Sequence, residues 1–172
     1  MEGAAKVDVQ AMLYDVAATA RAFLHPHWLR WHRIWGPPMP ATPSQWTCVR
    51  SSIFLVRVLQ DQGIEASLQS GQSPEPSPGI MPKNCGLLTA GGWAGHAWVE
   101  AEGFIVDVTA DQFGHAPVVV EPVDVGTYQP AQCEAYRLKP TKAGMTATDE
   151  IWSSWCCPVE RRRYSHKGVS PT

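Results

Sequence analysis

The sequence predicts a single domain that combines α-helices with an antiparallel β-hairpin. Its 172 residues fit one domain, because domains most often contain about 100–150 residues. Apolar residues at helical spacing indicate helices over residues 7–24 and 44–63. Two β-rich runs flank Glu102 and Gly103, which predicts a hairpin with a tight turn. The prediction is therefore one domain over residues 1–172, with a core at about residues 44–114.

The composition is typical of a globular protein and gives no reason to expect a nucleic-acid partner. Hydrophobic residues make up 44% of the chain and charged residues 17%, a balance found in folded domains. The net charge is −2, and nucleic-acid binding requires a basic stripe or patch. The one basic run, residues 161–163, is expected to be a solvated tail, with contact to nucleic acid or anionic lipid as the alternative.

The sequence shows no targeting segment and no membrane span. Residues 1–24 lack the basic region and apolar run of a secretory signal. No stretch approaches the roughly 18 apolar residues that cross a bilayer. We therefore expect a cytoplasmic protein without a membrane partner, and export by a route without an N-terminal signal stays open.

The first helix is predicted over residues 7–24 and is expected to end before Pro26. Its apolar positions recur at helical intervals and are Val9, Leu13, Val16, Ala20 and Leu24. The residue before a proline is pushed out of the helical region, so the helix should stop at His25. A short second helix is predicted where three tryptophans lie three and four residues apart, at Trp28, Trp31 and Trp35.

The next long helix, residues 44–63, places Cys48 in its first turn. Ser44 and Thr47 are alternative N-caps, and Gly63 is the expected C-terminal stop. The first turn of a helix stabilises a thiolate through unpaired N–H groups and the positive end of the dipole. The same N–H groups can bind the oxyanion that forms when a thiolate attacks a carbonyl. Of the five cysteines, Cys48 is the one that the pattern places in this way.

The remaining segments are predicted in less detail. A strand is expected over residues 64–68, and further strands over 118–120 and 135–138. Residues 70–92 are rich in Pro, Gly and Ser and are expected to form a loop at one rim of a cleft. Residues 140–172 are poorly patterned and are expected to be a tail with one turn of helix near Trp152.

The hairpin predicts a histidine and an aspartate within reach of each other. With a two-residue turn, Trp98 lies opposite Asp107, and His96 lies two residues from Trp98 on the same face. His96 and Asp107 are then diagonal neighbours whose side chains can meet, whereas a three-residue loop would put them on opposite faces. A thiol nucleophile needs an imidazole base, and the imidazole needs an orienting acceptor. The predicted roles are therefore Cys48 as nucleophile, His96 as base and Asp107 as its partner.

These residues resemble the transglutaminase-like branch of the papain-like cysteine enzymes. That branch carries a cysteine on a helix, a His-Ala-Trp-Val-Glu-type strand and an Asp-Pro-Thr-type strand. Here the matching segments are Cys48, residues 95–100 (Gly-His-Ala-Trp-Val-Glu) and residues 107–109 (Asp-Val-Thr). The resemblance implies an α+β fold in which the nucleophile helix packs on an antiparallel sheet. It also implies hydrolysis or acyl transfer at an amide bond through an acyl-thioester, as in peptidases, amidases and glutamine deamidases.

The chain also departs from the family pattern. Val108 stands in place of the usual proline, and no Gly-x-Cys motif precedes the nucleophile. In papain-like enzymes an upstream glutamine often completes the oxyanion hole. The resemblance gives this place to Gln45 or Trp46, although the offset differs. Trp98 lies on the same predicted face as the site and is expected to pack there and to wall the cleft.

Several alternatives stay open at this level. Cys85, in a predicted loop, is the rival nucleophile, and Asp111 is the rival carboxylate, although it is expected in a turn. His25, His27 and His32 do not have the spacing of metal ligands, and no CxxC pair is present, so neither a metal nor a cofactor is predicted. The expected partner is a peptide, protein or other amide substrate. The alternative functions are a catalytically inactive member of the fold used as a binding module, and a small-molecule N-acyltransferase.

Overall fold

The structure is a computed structural model that describes residues 8–157 and has an α+β fold. Within these residues the helices are α1 (Val9–Trp35), α2 (Cys48–Asp61) and α3 (Lys142–Trp155). The strands are β1 (Ala66–Gly71), β2 (Gly86–Thr89), β3 (Gly92–Ala94), β4 (His96–Ala101), β5 (Phe104–Asp107), β6 (Val119–Pro122) and β7 (Tyr128–Gln129). Two short 3-10 helices span Ala110–Phe113 and Glu134–Tyr136. None of the helices in this part of the chain has the length and apolarity to cross a membrane.

The strands form two antiparallel sheets that share a core. The larger sheet has the order β1-β4-β5-β6, and the smaller sheet has the order β3-β2-β7. Because side chains alternate along a strand, the larger sheet buries residues on both faces. Val99 and Val106 pack against the helices, whereas Trp98 and Ile105 pack towards the smaller sheet. The site described below lies on the side of the larger sheet that faces the smaller one.

Helix α1 runs through Pro26, so the prediction that it ends at His25 is wrong. A proline inside a helix costs about 3 kcal/mol, because one main-chain hydrogen bond is lost and the ring crowds the preceding turn. Here the apolar stripe continues on both sides of the proline, and Leu24 and Trp28 are completely buried. Pro26 itself is exposed, so its ring disturbs no core contact. Burial of the stripe therefore outweighs the local penalty, and the predicted short second helix is the end of α1.

Helix α2 is the central helix of the core and joins the other two. The Phe54 ring stacks on Phe23 of α1 at 5.2 Å and meets Trp155 of α3 edge-on at 5.4 Å. The Trp28 indole N–H donates a hydrogen bond to Ser51 Oγ at 2.9 Å, which links α1 to the second turn of α2. The helix stops where the sequence predicts, because Gly63 has a φ of +76°, a conformation that ends helices.

The hairpin between β4 and β5 has the predicted register. Glu102 and Gly103 have φ values of +53° and +80°, the pattern of a two-residue type I′ turn. Ala101 pairs with Phe104, and Val99 pairs with Val106. A one-residue slip would move every side chain to the other face, so this turn decides which residues face the smaller sheet.

Several weaker predictions are wrong or incomplete. Residues 70–92, predicted as a loop, contain the strands β2 and the start of β3, which are too short for an apolar pattern to show. The predicted strand over residues 135–138 is absent there, because Tyr136 and Arg137 donate their N–H groups to local 3-10 bonds. Residues 140–157, part of the predicted tail, contain the 14-residue helix α3. The basic run at residues 161–163 lies outside the described residues.

Candidate active site

Cys48 is the first residue of α2 and is partly buried. Thr47 precedes it as the N-cap, but its side chain does not cap the helix. The Thr47 hydroxyl instead donates a hydrogen bond to the Ser44 carbonyl at 2.7 Å. The N–H groups of a first helical turn have no intrahelical acceptor, so those that follow Thr47 are available to a ligand beside the thiol. The structure therefore places Cys48 where the sequence predicts it.

His96 and Asp107 are in direct contact, as the hairpin register predicts. The His96 Nε2 atom lies 2.6 Å from Asp107 Oδ2, and both side chains are completely buried. His96 begins β4 and Asp107 ends β5, so the contact is the diagonal one between neighbouring strands. The prediction that these two side chains meet is confirmed.

The Asp107 carboxylate has hydrogen-bond donors at both oxygens. Thr109 donates to Oδ1 through its main-chain N–H at 2.8 Å and through its hydroxyl at 3.0 Å. The Tyr128 hydroxyl donates to Oδ2 at 2.9 Å. Four contacts, one of them with the imidazole, therefore hold this carboxylate in its buried position. Thr109 belongs to the motif seen in the sequence, whereas nothing in the sequence distinguishes Tyr128.

Burial and charge act in opposite directions on the two titratable groups. Burial favours neutral His96 and would lower its pKa, but the charge and hydrogen bond of Asp107, with a smaller contribution from Cys48, raise the pKa to about 10. Burial would raise the pKa of Asp107, but His96, the Thr109 N–H and the Tyr128 hydroxyl together lower it. Burial, followed by the charge of Asp107, raises the pKa of Tyr128. The pair is therefore an imidazolium and a carboxylate at neutral pH, with Tyr128 as a neutral donor.

The second ring nitrogen of His96 is an open hydrogen-bonding position of the site. Within residues 8–157, Nδ1 is buried and has no hydrogen-bond partner. The Cys48 side chain is nonetheless close enough to raise the pKa of His96. The thiol and the imidazole are thus neighbours without a fully formed hydrogen bond, and catalytic hydrogen bonds are often long in the absence of substrate. Three aromatic rings surround the imidazole and fix its plane, at 5.1, 6.3 and 6.4 Å between centroids: Phe113, Tyr128 and Trp98.

The three residues predicted to line the cleft lie in different surroundings. Trp98 is completely buried behind His96 and packs on Tyr128 at 5.2 Å, so it does not form an accessible wall. The larger sheet is covered on this face by the smaller sheet, which the sequence did not show. Gln45 Oε1 accepts a hydrogen bond from the Ala41 N–H at 2.6 Å, which ties this side-chain amide to the segment before α2. Trp46 is 51% exposed and lies two residues before the thiol.

Cys85 and Asp111, the alternative nucleophile and the alternative carboxylate, lie in surroundings that differ from those of Cys48 and Asp107. Cys85 is 3% exposed, and burial, followed by the charge of Cys133, raises the pKa of its thiol, which disfavours the thiolate. It lines a pocket of about 680 Å³ that includes none of the residues Cys48, His96 and Asp107. Asp111 forms an ion pair with Arg21 at 2.7 Å and stabilises the link between α1 and the 3-10 helix.

Comparisons of the chain with models of known protein families, with curated proteins and with solved structures give no match. The resemblance to the transglutaminase-like branch therefore stays a prediction. The functional interpretation rests on Cys48, His96 and Asp107 and on the chemistry that their arrangement allows.

Proposed function

We propose that the protein is a cysteine-nucleophile enzyme that hydrolyses an amide bond or transfers its acyl group. The observation that supports this most strongly is the buried His96–Asp107 pair, whose remaining ring nitrogen lies beside the thiol of Cys48 and has no hydrogen-bond partner among the described residues. The proposed fold is papain-like and transglutaminase-like, with α2 as the nucleophile helix. The expected substrates are amides of a peptide, a protein side chain or a related compound.

A purely structural role explains the His96–Asp107 pair less well. Burying two charged groups is costly, and a pair kept for stability alone is expected to have partners at all its polar atoms. An unsatisfied buried polar group costs about 1–3 kcal/mol, and His96 Nδ1 is such a group. Strongly shifted pKa values next to an open hydrogen-bonding position are typical of catalytic sites. A substrate or a leaving group would complete the arrangement.

The first half of the proposed reaction forms an acyl-thioester. With His96 protonated at Nδ1, the Cys48 thiolate attacks the carbonyl carbon of the amide. The N–H groups of the first turn of α2 stabilise the negative charge that develops on the carbonyl oxygen. The carbon–nitrogen bond then breaks, and Nδ1 gives its proton to the departing amine. The acyl group is left on Cys48 Sγ.

The second half releases the acyl group and restores the site. Water, or an amine in the case of acyl transfer, gives a proton to His96 Nδ1 and attacks the thioester carbonyl. The carbon–sulfur bond breaks, and Cys48 leaves as a thiolate beside the imidazolium. Asp107 keeps the ring oriented through Nε2 in both halves and stabilises its positive charge.

A test of the proposed function is to capture the acyl-thioester. The protein is incubated with a panel of activated amides and aryl esters, and intact mass spectrometry detects added acyl groups. The expected result is a single acyl group on Cys48 that hydroxylamine removes and that is absent from Cys48→Ala. The matched control is Cys85→Ala, which should still be acylated. Acylation at Cys85 instead, or none with any reagent, would contradict the proposal and favour a binding module.

A further inference from the structure

Trp46 has a backbone conformation that a bulky residue rarely adopts. Its φ is +63°, in the left-handed region, where the β-carbon crowds the following carbonyl. A tryptophan in this region is an outlier, and such strain persists only where the surrounding structure imposes it. Trp46 lies two residues before Cys48, so the strained position is next to the proposed nucleophile.

Hydrogen bonds impose this conformation on both sides of Trp46. The Ser44 hydroxyl donates to Asp111 Oδ1 at 2.6 Å, and the Thr47 hydroxyl donates to the Ser44 carbonyl at 2.7 Å. The Trp46 N–H itself donates to Gln112 Oε1 at 3.3 Å. The segment that leads into α2 is thus attached to the 3-10 helix after β5. These polar groups are engaged within the segment or with the 3-10 helix, and the Trp46 indole is partly exposed.

The Trp46 ring is only partly buried. The indole is 51% exposed, and its ring contact is the edge of His32 at 6.0 Å. His32 is itself buried, and its Nε2 lies 2.9 Å from the Pro43 carbonyl oxygen. His32 also meets Trp35, which is 39% exposed, at 5.0 Å. Two partly exposed indoles therefore contact one buried imidazole.

We propose that Trp46 determines substrate specificity by holding a flat apolar group, such as an aromatic side chain, next to the carbonyl that Cys48 attacks. This inference rests on the proposed function and names the substrate class. An exposed indole face stacks on planar groups, and ring pairs add affinity beyond the area that they bury. Asp111 is paired with Arg21, and the Arg50 guanidinium lies over the Trp35 ring at 4.9 Å, so the charges around this segment are already engaged with a carboxylate or an indole. The preferred substrates are amides with an aromatic group near the scissile bond.

The test compares two reagents that differ in one ring. N-benzyl iodoacetamide and N-ethyl iodoacetamide alkylate thiols by the same reaction, and the ratio of their rates at Cys48 is divided by the ratio for free glutathione. The variants are Trp46→Gly, which removes the ring, and Trp46→Phe, which keeps one. Tyr14→Ala is the matched control, because Tyr14 is an aromatic residue of α1 with 50% exposure. Rates are measured at about pH 6 and about pH 9, so that the ratio can be obtained whether or not the thiol is activated.

The expected result is a ratio that falls about two- to tenfold in Trp46→Gly. It should be largely retained in Trp46→Phe and unchanged in Tyr14→Ala. The urea transition of Trp46→Gly should stay cooperative, which shows that the variant is folded, because glycine adopts the left-handed conformation without strain. An unchanged ratio in a folded Trp46→Gly variant would overturn the inference. A Trp46-dependent ratio at a thiol that is not activated at about pH 6 would overturn the proposed function and leave only an aromatic-binding surface.

Discussion

The Tyr128 hydroxyl donates a hydrogen bond to Asp107 Oδ2, the carboxylate oxygen that also contacts the imidazole of His96. Tyr128 belongs to the smaller sheet and Asp107 to the larger one. The contact therefore joins the two sheets at the proposed active site. It also means that the smaller sheet takes part in holding the carboxylate that orients His96.

Replacing Tyr128 by phenylalanine should destabilise the protein without changing its shape. The ring packing on Trp98 is kept, and the donor to a buried carboxylate is lost, which costs about 1–3 kcal/mol in the free energy of unfolding. The measurement is urea unfolding at neutral pH. Tyr14→Phe is the control and should change the free energy by less than about 0.5 kcal/mol, because Tyr14 is an exposed residue. Equal stability of Tyr128→Phe and Tyr14→Phe would show that the Tyr128 hydroxyl does not stabilise the His96–Asp107 pair.

Asp107→Asn should change the protonation of His96. The Asp107 charge raises the pKa of His96 against the opposing effect of burial, so an uncharged amide should let that pKa fall far below about 10. Nitrogen-15 NMR of the histidine side chains, with His96→Gln to assign the signal, measures this directly. We expect an imidazolium at about pH 8 in the wild type and a neutral ring in Asp107→Asn. A neutral ring in both proteins would contradict the charged form of the pair.

The charged pair also predicts how stability depends on pH. The pKa of His96 is raised above its unfolded value of about 6.5, so its contribution is complete below that pH and is lost as the pH rises through about 10. The pKa of Asp107 is lowered, so its contribution is present above about pH 4 and is lost as the pH falls through its folded-state value. Urea unfolding at a series of pH values measures this contribution. The pair should add most to the free energy of unfolding between about pH 4 and 6.5.

Asp107→Asn supplies the control for that profile. Without the carboxylate the alkaline decline assigned to His96 should disappear, because the folded state no longer raises the pKa of the imidazole. A decline of the same size in wild type and variant would mean that other groups cause it.

Pro26→Ala should stabilise the protein. Pro26 lies inside α1 with its ring exposed, and alanine would restore a helical hydrogen bond and relieve the clash with the preceding turn. We expect a gain of about 1–3 kcal/mol in the free energy of unfolding, measured with urea, and unchanged reactivity of Cys48. Arg30→Ala, at another exposed position of the same helix, should change stability by less than about 0.5 kcal/mol. A loss of stability in Pro26→Ala would contradict the view that the proline is a local penalty.

The contact between His96 and Asp107 could be predicted from the sequence because it depends on local chemistry. The turn at Glu102 and Gly103 sets the register, and the register sets which side chains share a face. The position of Cys48 could be predicted in the same way, because the start of α2 is marked by a residue of the N-cap type and by the apolar stripe that follows it. These parts of the site are determined within short segments of chain.

The contact between Tyr128 and Asp107 could not be predicted, because it is made across 21 residues by strands too short to show a pattern. The strands of the smaller sheet have only two to four residues each. The burial of Trp98 follows from the same packing. The continuation of α1 through Pro26 was missed for a related reason, since tertiary burial on both sides outweighs the local rule.

The central claim is that His96 activates Cys48, and alkylation by iodoacetamide at about pH 6 tests it most directly. An ordinary thiol is almost entirely protonated at this pH and reacts slowly. Labelling mapped by mass spectrometry should be fastest at Cys48, at least about tenfold slower in His96→Gln, and unchanged at Cys48 in the control Cys85→Ser. Circular dichroism of His96→Gln confirms that the variant is folded. Slow labelling of Cys48, or equal rates in wild type and folded His96→Gln, would contradict the account.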